Sequence, residues 1–270
     1  MAGRTEDTDP QGKGRQDNRR ALQDTAEQQK GKNSRRDAYL NFVKCWQLNL
    51  YRSRAASYNL GEELKKVDTG MVLIQEPWVY GDVIRGRLGG WNLFQCNGEG
   101  ERPRTCVYAS HNLKAQLLPM FSNEDVAAVR VKNVYREGDS YVFASVYMAN
   151  ENPAPPRLLG ELADYCEGAK KPLIEGSDAN AHRTVWGSSD TNSRGEELLE
   201  FCAQSNLEIC NVGNKSTFRT KVRKEVLDLT LANRWAWDGV CDWHVSDVPS
   251  FSDHMLIWFG VGSTIFKRIK

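Results

Sequence analysis

From about Tyr39 onward the chain repeats one pattern, a short apolar run closed by turn residues or by a polar cluster. Continuous apolar runs of this length suit strands buried on both faces, whereas strict alternation would mark sheets half open to water. The runs place strands over 42–50, 71–75, 105–109, 127–131, 141–147 and 172–175, with others near 207–211, 227–232 and 255–259. Helical periodicity falls over 52–66, 157–167 and 195–204, with Pro156 set just before the second, where its missing N–H does no harm. None of the runs approaches the roughly 20 residues that cross a bilayer, and the charged N-terminus lacks the apolar stretch of a signal peptide. Many strands with few helices indicate α/β architecture, two packed sheets flanked by helices.

The first 38 residues are of another kind, rich in Lys, Arg, Asp, Glu, Gln, Asn and Gly, with Leu22 the main large apolar side chain after the initiator. Such a composition cannot build a core, so residues 1–38 are expected to form a flexible polar leader. Its basic positions, Arg19, Arg20, Arg35 and Arg36, are interleaved with acids, which speaks against a dedicated DNA-binding tail. The expected folded domain covers residues 39–262, and 263–270 would begin a linker to a downstream region. The net charge of +1 rules out a globally basic nucleic-acid binder, so any such surface has to be local. Seven scattered cysteines show no paired metal-binding spacing; they suggest free thiols and a reducing compartment, with Cys106 and Cys210 as small buried hydrophobes.

Four polar clusters stand where apolar runs end: Asn49; Glu76 in Gln75-Glu76-Pro77; Asp178 and Asn180 in Gly176-Ser177-Asp178-Ala179-Asn180; and Ser252-Asp253-His254. Strands would deliver each of them to a sheet edge. Carboxylates and carboxamides are the hard oxygen donors that magnesium prefers, one or two at a time beside water and substrate phosphate. The inventory therefore suits phosphoryl chemistry, although each cluster alone would also suit an ordinary turn or cap. The connection over 176–194 is too long for a passive linker and is where function is sought.

Taken in order, Leu48-Asn49-Leu50, Gln75-Glu76-Pro77, Val146-Tyr147, Gly176-Ser177-Asp178-Ala179-Asn180, Leu227-Asp228-Leu229 and Ser252-Asp253-His254 resemble the signature of the exonuclease-endonuclease-phosphatase superfamily. Ser177-Asp178-Ala179-Asn180-Ala181-His182, Trp186-Gly187 and Asn192-Ser193-Arg194-Gly195 are more specific. They are similar to the endonuclease domains of site-specific arthropod non-LTR retrotransposons, those that insert into ribosomal genes or telomeric repeats. The resemblance implies a four-layered α/β sandwich of the DNase I-like kind, with two mixed sheets between helices. It implies hydrolysis of duplex DNA with Mg2+, or Mn2+ in its place, to leave a 3′-hydroxyl that primes reverse transcription. It also implies metal ligation by Glu76, Asn49 and Asp253, and catalysis by Asp178, Asn180, Asp228, His254 and Tyr147. Asp178 would deprotonate water, and Asp228 would orient His254 against the transition state.

Asn150, His182, Arg194 and the basic segment Lys221, Arg223 and Lys224 are expected to meet DNA, the last three on a turn between strand-like runs. For His182 the competing expectation is that it braces its loop, and for the basic segment that it is a solvated turn. Trp186, Trp235, Trp237 and Trp243 are expected to pack. Tyr51 stands where the abasic-site repair branch carries an acid, and Val226 where a basic residue precedes Leu227-Asp228. Both departures argue against repair. The rivals are a phosphatase of the same superfamily acting on a small phosphoester and a DNA-binding module with a dead site. The implied partners are double-stranded DNA, element RNA and the reverse transcriptase domain of a parent polyprotein; no membrane partner is implied, and the expected place is the nucleus.

Overall fold

A strand buried on both faces has to meet apolar neighbours on both sides, and β2 shows how this chain provides them. In a computed structural model that describes residues 42–96, 101–132 and 140–262, Met71 and Leu73 of β2 enter one hydrophobic cluster and Val72 and Ile74 another. The chain divides at Phe42, and the two large sheets are built in the unit Val43–Lys270. The expected leader over 1–38 and the linker over 263–270 lie outside the described residues.

In chain order the first elements are β1 (Phe42–Asn49), α1 (Arg54–Leu64), β2 (Gly70–Gln75), β3 (Val79–Tyr80), β4 (Val83–Ile84), β5 (Trp91–Phe94), β6 (Thr105–Ser110), β7 (Ala115–Leu117), β8 (Val126–Lys132) and β9 (Ser140–Tyr147). There follow α2 (Arg157–Gly168), β10 (Leu173–Asp178), α3 (Ser193–Gln204), β11 (Leu207–Ile209), β12 (Phe218–Arg219), β13 (Lys224–Glu225), β14 (Asp228–Asn233), β15 (Val240–Val245) and β16 (Ile257–Gly262). Two six-stranded mixed sheets result, in the orders β15-β16-β1-β2-β6-β5 and β11-β14-β10-β9-β8-β7.

Three apolar clusters define the four layers. Leu73 and Val107 of the first sheet meet Val129, Phe143 and Ile174 of the second in the central cluster. Outside the first sheet, Trp46, Val72 and Ile74 cover Ala56, Leu60 and Leu64 of α1. Beyond the second, Ala144 and Leu173 pack on Leu159 and Leu162 of α2 and Leu198 of α3. The expected sandwich is therefore the observed one. The helix expected from 52 starts two residues later, because Arg52 sits at φ 53, outside helical space, and Ser53 caps the helix by accepting from the Ala56 amide. Pro156 stands at the N-cap of α2, as its sequence position suggested. The strand expected near 255–259 runs over Ile257–Gly262, since the Met255 amide donates to the Thr217 carbonyl outside the sheet.

A polar seam crosses the apolar interface between the sheets. Gln47 of β1 donates to the Ser177 and Leu229 carbonyls at 3.0 and 3.1 Å and accepts from Thr230 at 2.8 Å. Gln75 of β2 donates to Ser145 and to the Gly176 carbonyl, at 3.0 and 2.8 Å. A Cβ at Gly176 would stand 2.7 Å from Gln47 and 2.9 Å from Leu73, so a larger residue would displace the seam. Buried hydrogen bonds of this kind add little net energy but penalise any slip in the pairing of the sheets. Gln47 and Thr230 lie two residues from Asn49 and Asp228 on their strands, and Gln75 pairs with Asn49 itself.

Candidate active site

Strand direction explains why distant polar clusters meet. The parallel pairs β1–β2 and β9–β10 place Asn49 beside Gln75 and Asp178 beside Tyr147, while antiparallel β14 brings Asp228 opposite Asp178. The C-terminal ends of four strands and the N-terminal end of a fifth thus deliver side chains to one edge of the sandwich.

Asp178 is the hub. Its Oδ2 accepts from Asn49 Nδ2 at 2.8 Å and from Asn180 Nδ2 at 3.4 Å, and its Oδ1 accepts from the Asn180 amide at 3.2 Å. Asn49 Nδ2 also faces Glu76 Oε2 at 3.4 Å, and Glu76 pairs with Arg52 at 3.2 Å. His254 Nδ1 lies 2.9 and 3.0 Å from the two carboxylate oxygens of Asp228. That contact fixes a proton on Nδ1 and turns Nε2 into the site, 3.8 Å from Asp178 Oδ2 and 4.0 Å from Asp253 Oδ1. Ser252 closes the ring: its hydroxyl donates to the Asn49 carbonyl at 2.8 Å and accepts from the His254 amide at 3.2 Å.

The electrostatics follow from burial and charge. Burial raises the carboxyl pKa of Asp178, with the Asp228 charge adding to it and His254, Asn49 and Asn180 pulling the other way. For His254 burial opposes the charged ring, but Asp228 and Asp178 outweigh it, so the imidazolium is favoured well above the usual histidine range. Burial, followed by the charges of Glu76 and Asp178, keeps the Tyr147 phenol protonated and thus a donor.

Glu76 and Asn180 hold φ 43 and 46, Tyr51 and Arg52 hold 48 and 53, and Phe251 holds 58, all in the left-handed region that costs a non-glycine residue roughly 1 kcal/mol or more. Each flanks or belongs to the site. The strain is maintained by the surrounding contacts: the Tyr51 amide donates to Asn49 Oδ1 at 2.7 Å, and the Glu76 amide to the Arg104 carbonyl at 2.8 Å.

Asn49, Glu76, Asn180, Asp178, Asp228 and His254 are therefore joined by direct contacts, with Tyr147 electrostatically coupled to Glu76 and Asp178 and Asp253 beside His254. Asn150 is exposed on the loop after β9. Arg194 is built into the framework: its guanidinium donates to the carbonyls of Met148, Ala149, Asn152 and Ala179 at 2.6–3.3 Å. It thereby ties the loop after β9 to the loop after β10. His182 Nδ1 lies 2.5 Å from Asp190 and its Nε2 lies 2.6 Å from Arg223. Lys221 and Lys224 are exposed on the hairpin of β12 and β13. Trp186 is buried among apolar residues, while the Trp243 indole donates to Thr230 at 2.9 Å and the Trp235 indole to Glu167 at 3.1 Å.

Sequence reasoning passed over Arg52, Arg104, Asp190, Glu225 and Phe251. Arg104 pairs with Asp125 at 2.6 Å and lies 5.8 Å from the Tyr147 ring centre. Arg52, Arg104 and Glu225 meet partners far away in sequence, while Asp190 meets His182 across its own irregular loop, so neither kind of contact left a local pattern. Among the described residues, two groups of acidic and histidine side chains have ligand atoms within 4.8 Å of one another, Asp178 with Asp228 and His254, and His182 with Asp190 and Glu225.

Residues 141–258 match the model of the endonuclease-reverse transcriptase family. Over 224 residues the chain is 26% identical to the 115 kDa protein of the type-1 retrotransposable element R1DM of Drosophila melanogaster; the match covers 78% of this chain but only 21% of that protein. Among solved structures, the endonuclease domain of TRAS1, a telomere-specific non-LTR retrotransposon, superposes with a TM-score of 0.70 at 26% identity, covering 81% of this chain and 98% of that one. The AP endonuclease LMAP of Leishmania major and the catalytic domain of Xenopus laevis APE2 share the fold at 13% and 15% identity, each with a TM-score of 0.63; they cover 83% of this chain and 88% and 94% of their own. In sequence and fold the chain is therefore similar to the endonuclease domains of non-LTR retrotransposons, on a fold that it shares with AP endonucleases.

Proposed function

We propose that the chain is a divalent-metal-dependent endonuclease that nicks duplex DNA to leave a 3′-hydroxyl for reverse transcription, as part of a polyprotein acting in the nucleus on element RNA. The observation that carries this reading is the hydrogen-bonded hub of Asp178, with Asn49, Asn180 and the Asp228–His254 pair around it and Glu76 at its edge.

The donors at that edge fit a hard cation. Glu76 presents a carboxylate beside the Asn49 amide, and the exposed guanidinium of Arg52 supplies there the positive charge that a bound ion would bring. Glu76 would hold Mg2+, or Mn2+, with Asn49 joining through Oδ1, since its Nδ2 donates to Glu76 and Asp178, and with Asp253, 4.0 Å from His254 Nε2, as a further carboxylate. Such an ion neutralises charge on the scissile phosphate and on the leaving oxygen.

The remaining work falls to the chain. Asp178 takes a proton from the attacking water, and Asn180 and Asn49 hold its carboxylate in line by donating to the same oxygen. His254 directs a charged N–H from Nε2 towards the non-bridging oxygen on which negative charge grows, while Asp228 prevents the ring from turning. Tyr147 offers its phenol proton to the same phosphate. Asn150 and the exposed Lys221 and Lys224 meet the duplex on either side of that phosphate.

Nicking of supercoiled plasmid with Mg2+, set beside an inositol-phosphate substrate, tests the reading. Open circles that form with the metal and stop on chelation are the expected result. Turnover of the small phosphoester without plasmid nicking would replace DNA as the substrate.

A further inference from the structure

His182 and Arg223 are two candidate DNA contacts that the structure binds to each other. A guanidinium has only donors, so the 2.6 Å approach of Arg223 Nη2 to His182 Nε2 makes that ring nitrogen the acceptor. The ring proton then sits on Nδ1 and donates to Asp190 Oδ1 at 2.5 Å. A second anion completes the arrangement. Glu225 lies 3.8 Å from Arg223 Nε and accepts from the Ser189 amide and hydroxyl at 2.9 and 2.5 Å.

These contacts join two segments that the chain otherwise separates. Ser189 and Asp190 belong to the loop after Asp178, whose ends close where the Asn192 amide donates to the His182 carbonyl at 3.0 Å and Asn192 Oδ1 accepts from the His182 and Gly195 amides. Gly195 is required at this closure, because a Cβ there would collide with the His182 carbonyl. Arg223 and Glu225 belong to the hairpin, whose base is already fixed to the catalytic residues. The Arg219 amide donates to the Asp253 carbonyl at 2.7 Å, Phe218 packs edge-on to His254 at 5.0 Å, and Thr217 Oγ1 accepts from the Asp228 amide at 3.0 Å.

We propose that Asp190, His182 and Arg223 form a latch that holds the tip of the Phe218–Glu225 hairpin to the loop after Asp178, making them positioning residues for the choice of nick site. The inference rests on the nuclease reading above and deepens it. With the base attached to His254 and the tip attached through the latch, the hairpin has one orientation over the site. Lys221, Val222 and Lys224 then meet the duplex at a set distance from the scissile phosphate. Arg223 serves the protein, and the two lysines beside it serve the nucleic acid.

The test compares Asp190→Asn, Arg223→Gln and the double variant with the parent, and His182→Ala with His182→Gln. Hydrogen exchange of the Thr220 amide, which donates to the Arg223 carbonyl at 2.8 Å, is read without DNA, and nick positions are mapped on a mixed duplex pool. The latch predicts that Asp190→Asn speeds Thr220 exchange by about tenfold, as loss of one coupled contact would. Preference for the best site over the median site should fall several-fold, while plasmid nicking by Asp190→Asn stays within about twofold. In the Arg223→Gln background the same substitution should add nothing. His182→Gln, which can accept from Arg223 and donate to Asp190, should keep most of the protection that His182→Ala loses. Unchanged Thr220 exchange in Asp190→Asn, additive effects of the Asp190 and Arg223 substitutions, or an altered exchange with an unaltered nick profile would each overturn the latch. A parent chain that fails to nick at all sinks the nuclease reading and leaves the exchange result to decide whether the contact is a latch.

Discussion

The catalytic floor and the hairpin rim lie next to each other but are stabilised in opposite ways. Asn49, Asp178, Asp228 and His254 are all buried, and most of their polar side-chain atoms meet one another or the loop amides of Tyr51 and Asn180. At the hairpin tip Val222 is 97% exposed, and Lys221 on the turn and Lys224 at the start of a two-residue strand are exposed with it. Burial makes every misplaced charge on the floor costly, so geometry there is over-determined. The rim carries no such penalty, and its shape depends on a few side-chain contacts. A chemistry shared by many phosphodiesterases can thus sit on the floor while target choice varies above it.

The sharpest way to break this comparison is to remove a floor residue that acts on the transition state. Asp178→Ala or His254→Ala should lower plasmid nicking by about two orders of magnitude or more, with folding and DNA binding largely kept. Activity within a few-fold of the parent in either variant, measured as initial nicking rate, would remove these residues from the chemistry.

One step towards the edge of the site, Glu76→Gln keeps the side-chain shape and deletes the charge. A fall of about ten- to a hundredfold is expected, with half-maximal activity moved to higher Mg2+. A metal titration that overlays the parent's would move the ion elsewhere.

Glu175 sharpens the comparison from below the floor. It lies on β10 between Ile174 and Gly176, fully buried, and neither carboxyl oxygen has a hydrogen-bond partner of ordinary geometry among the described residues. Burial pushes its pKa up to about 8, against a smaller downward pull from Ser177. The unfolded chain ionises this group near the ordinary glutamate value while the folded chain keeps it protonated. Stability is therefore lost as pH rises from about 4.5 towards 8 and levels off above. Glu175→Gln cannot ionise, so its unfolding free energy should gain on the parent's over that window, by at most a few kcal/mol, with a constant difference below it. Parallel stability curves from pH 4 to 9 would show that Glu175 is solvated or paired.

The same contrast explains what could be read from sequence. β2, β6, β8 and β9 lie inside their sheets and are mostly apolar, so they stand out, while β10 and β14 are as buried but break their apolar residues with Glu175, Asp178, Thr230 and Asn233. β5, β7 and β15 are edge strands with half-exposed, mixed sequences, and a short run such as Ala115–Leu117 has no period to detect. Gln47, Gln75 and Thr230 interrupt apolar runs, and only the facing sheet shows why they are there. In the site, Asp178, Asp228 and His254 were legible because resemblance ordered them. Arg194 was legible as a motif residue, but its four carbonyl partners exist only in the folded chain. Asp190 and Glu225 gave no signal, because a contact between loops leaves no local pattern.

The smallest effect on rate should come from the hairpin tip. Phosphate-handling residues on the floor carry no base information, so discrimination needs groove contacts or the energy of deforming the duplex. Lys221 and Lys224 flank the exposed Val222 on a turn closed by the Thr220 and Arg223 backbone contact at 2.8 Å. Cations on such a turn can grip phosphates across a groove, and an apolar side chain between them favours steps that unstack readily, the pyrimidine–purine ones. Replacing 221–224 by glycines removes those groups while the hairpin base stays tied to Asp253 through Arg219 and to Asp228 through Thr217. The nick pattern on a mixed duplex pool should then shift more than the plasmid-nicking rate does, with preference at flexible steps reduced most. A solvated turn would give two profiles that coincide position by position, and that coincidence would return target choice to the floor and end the contrast between the two regions.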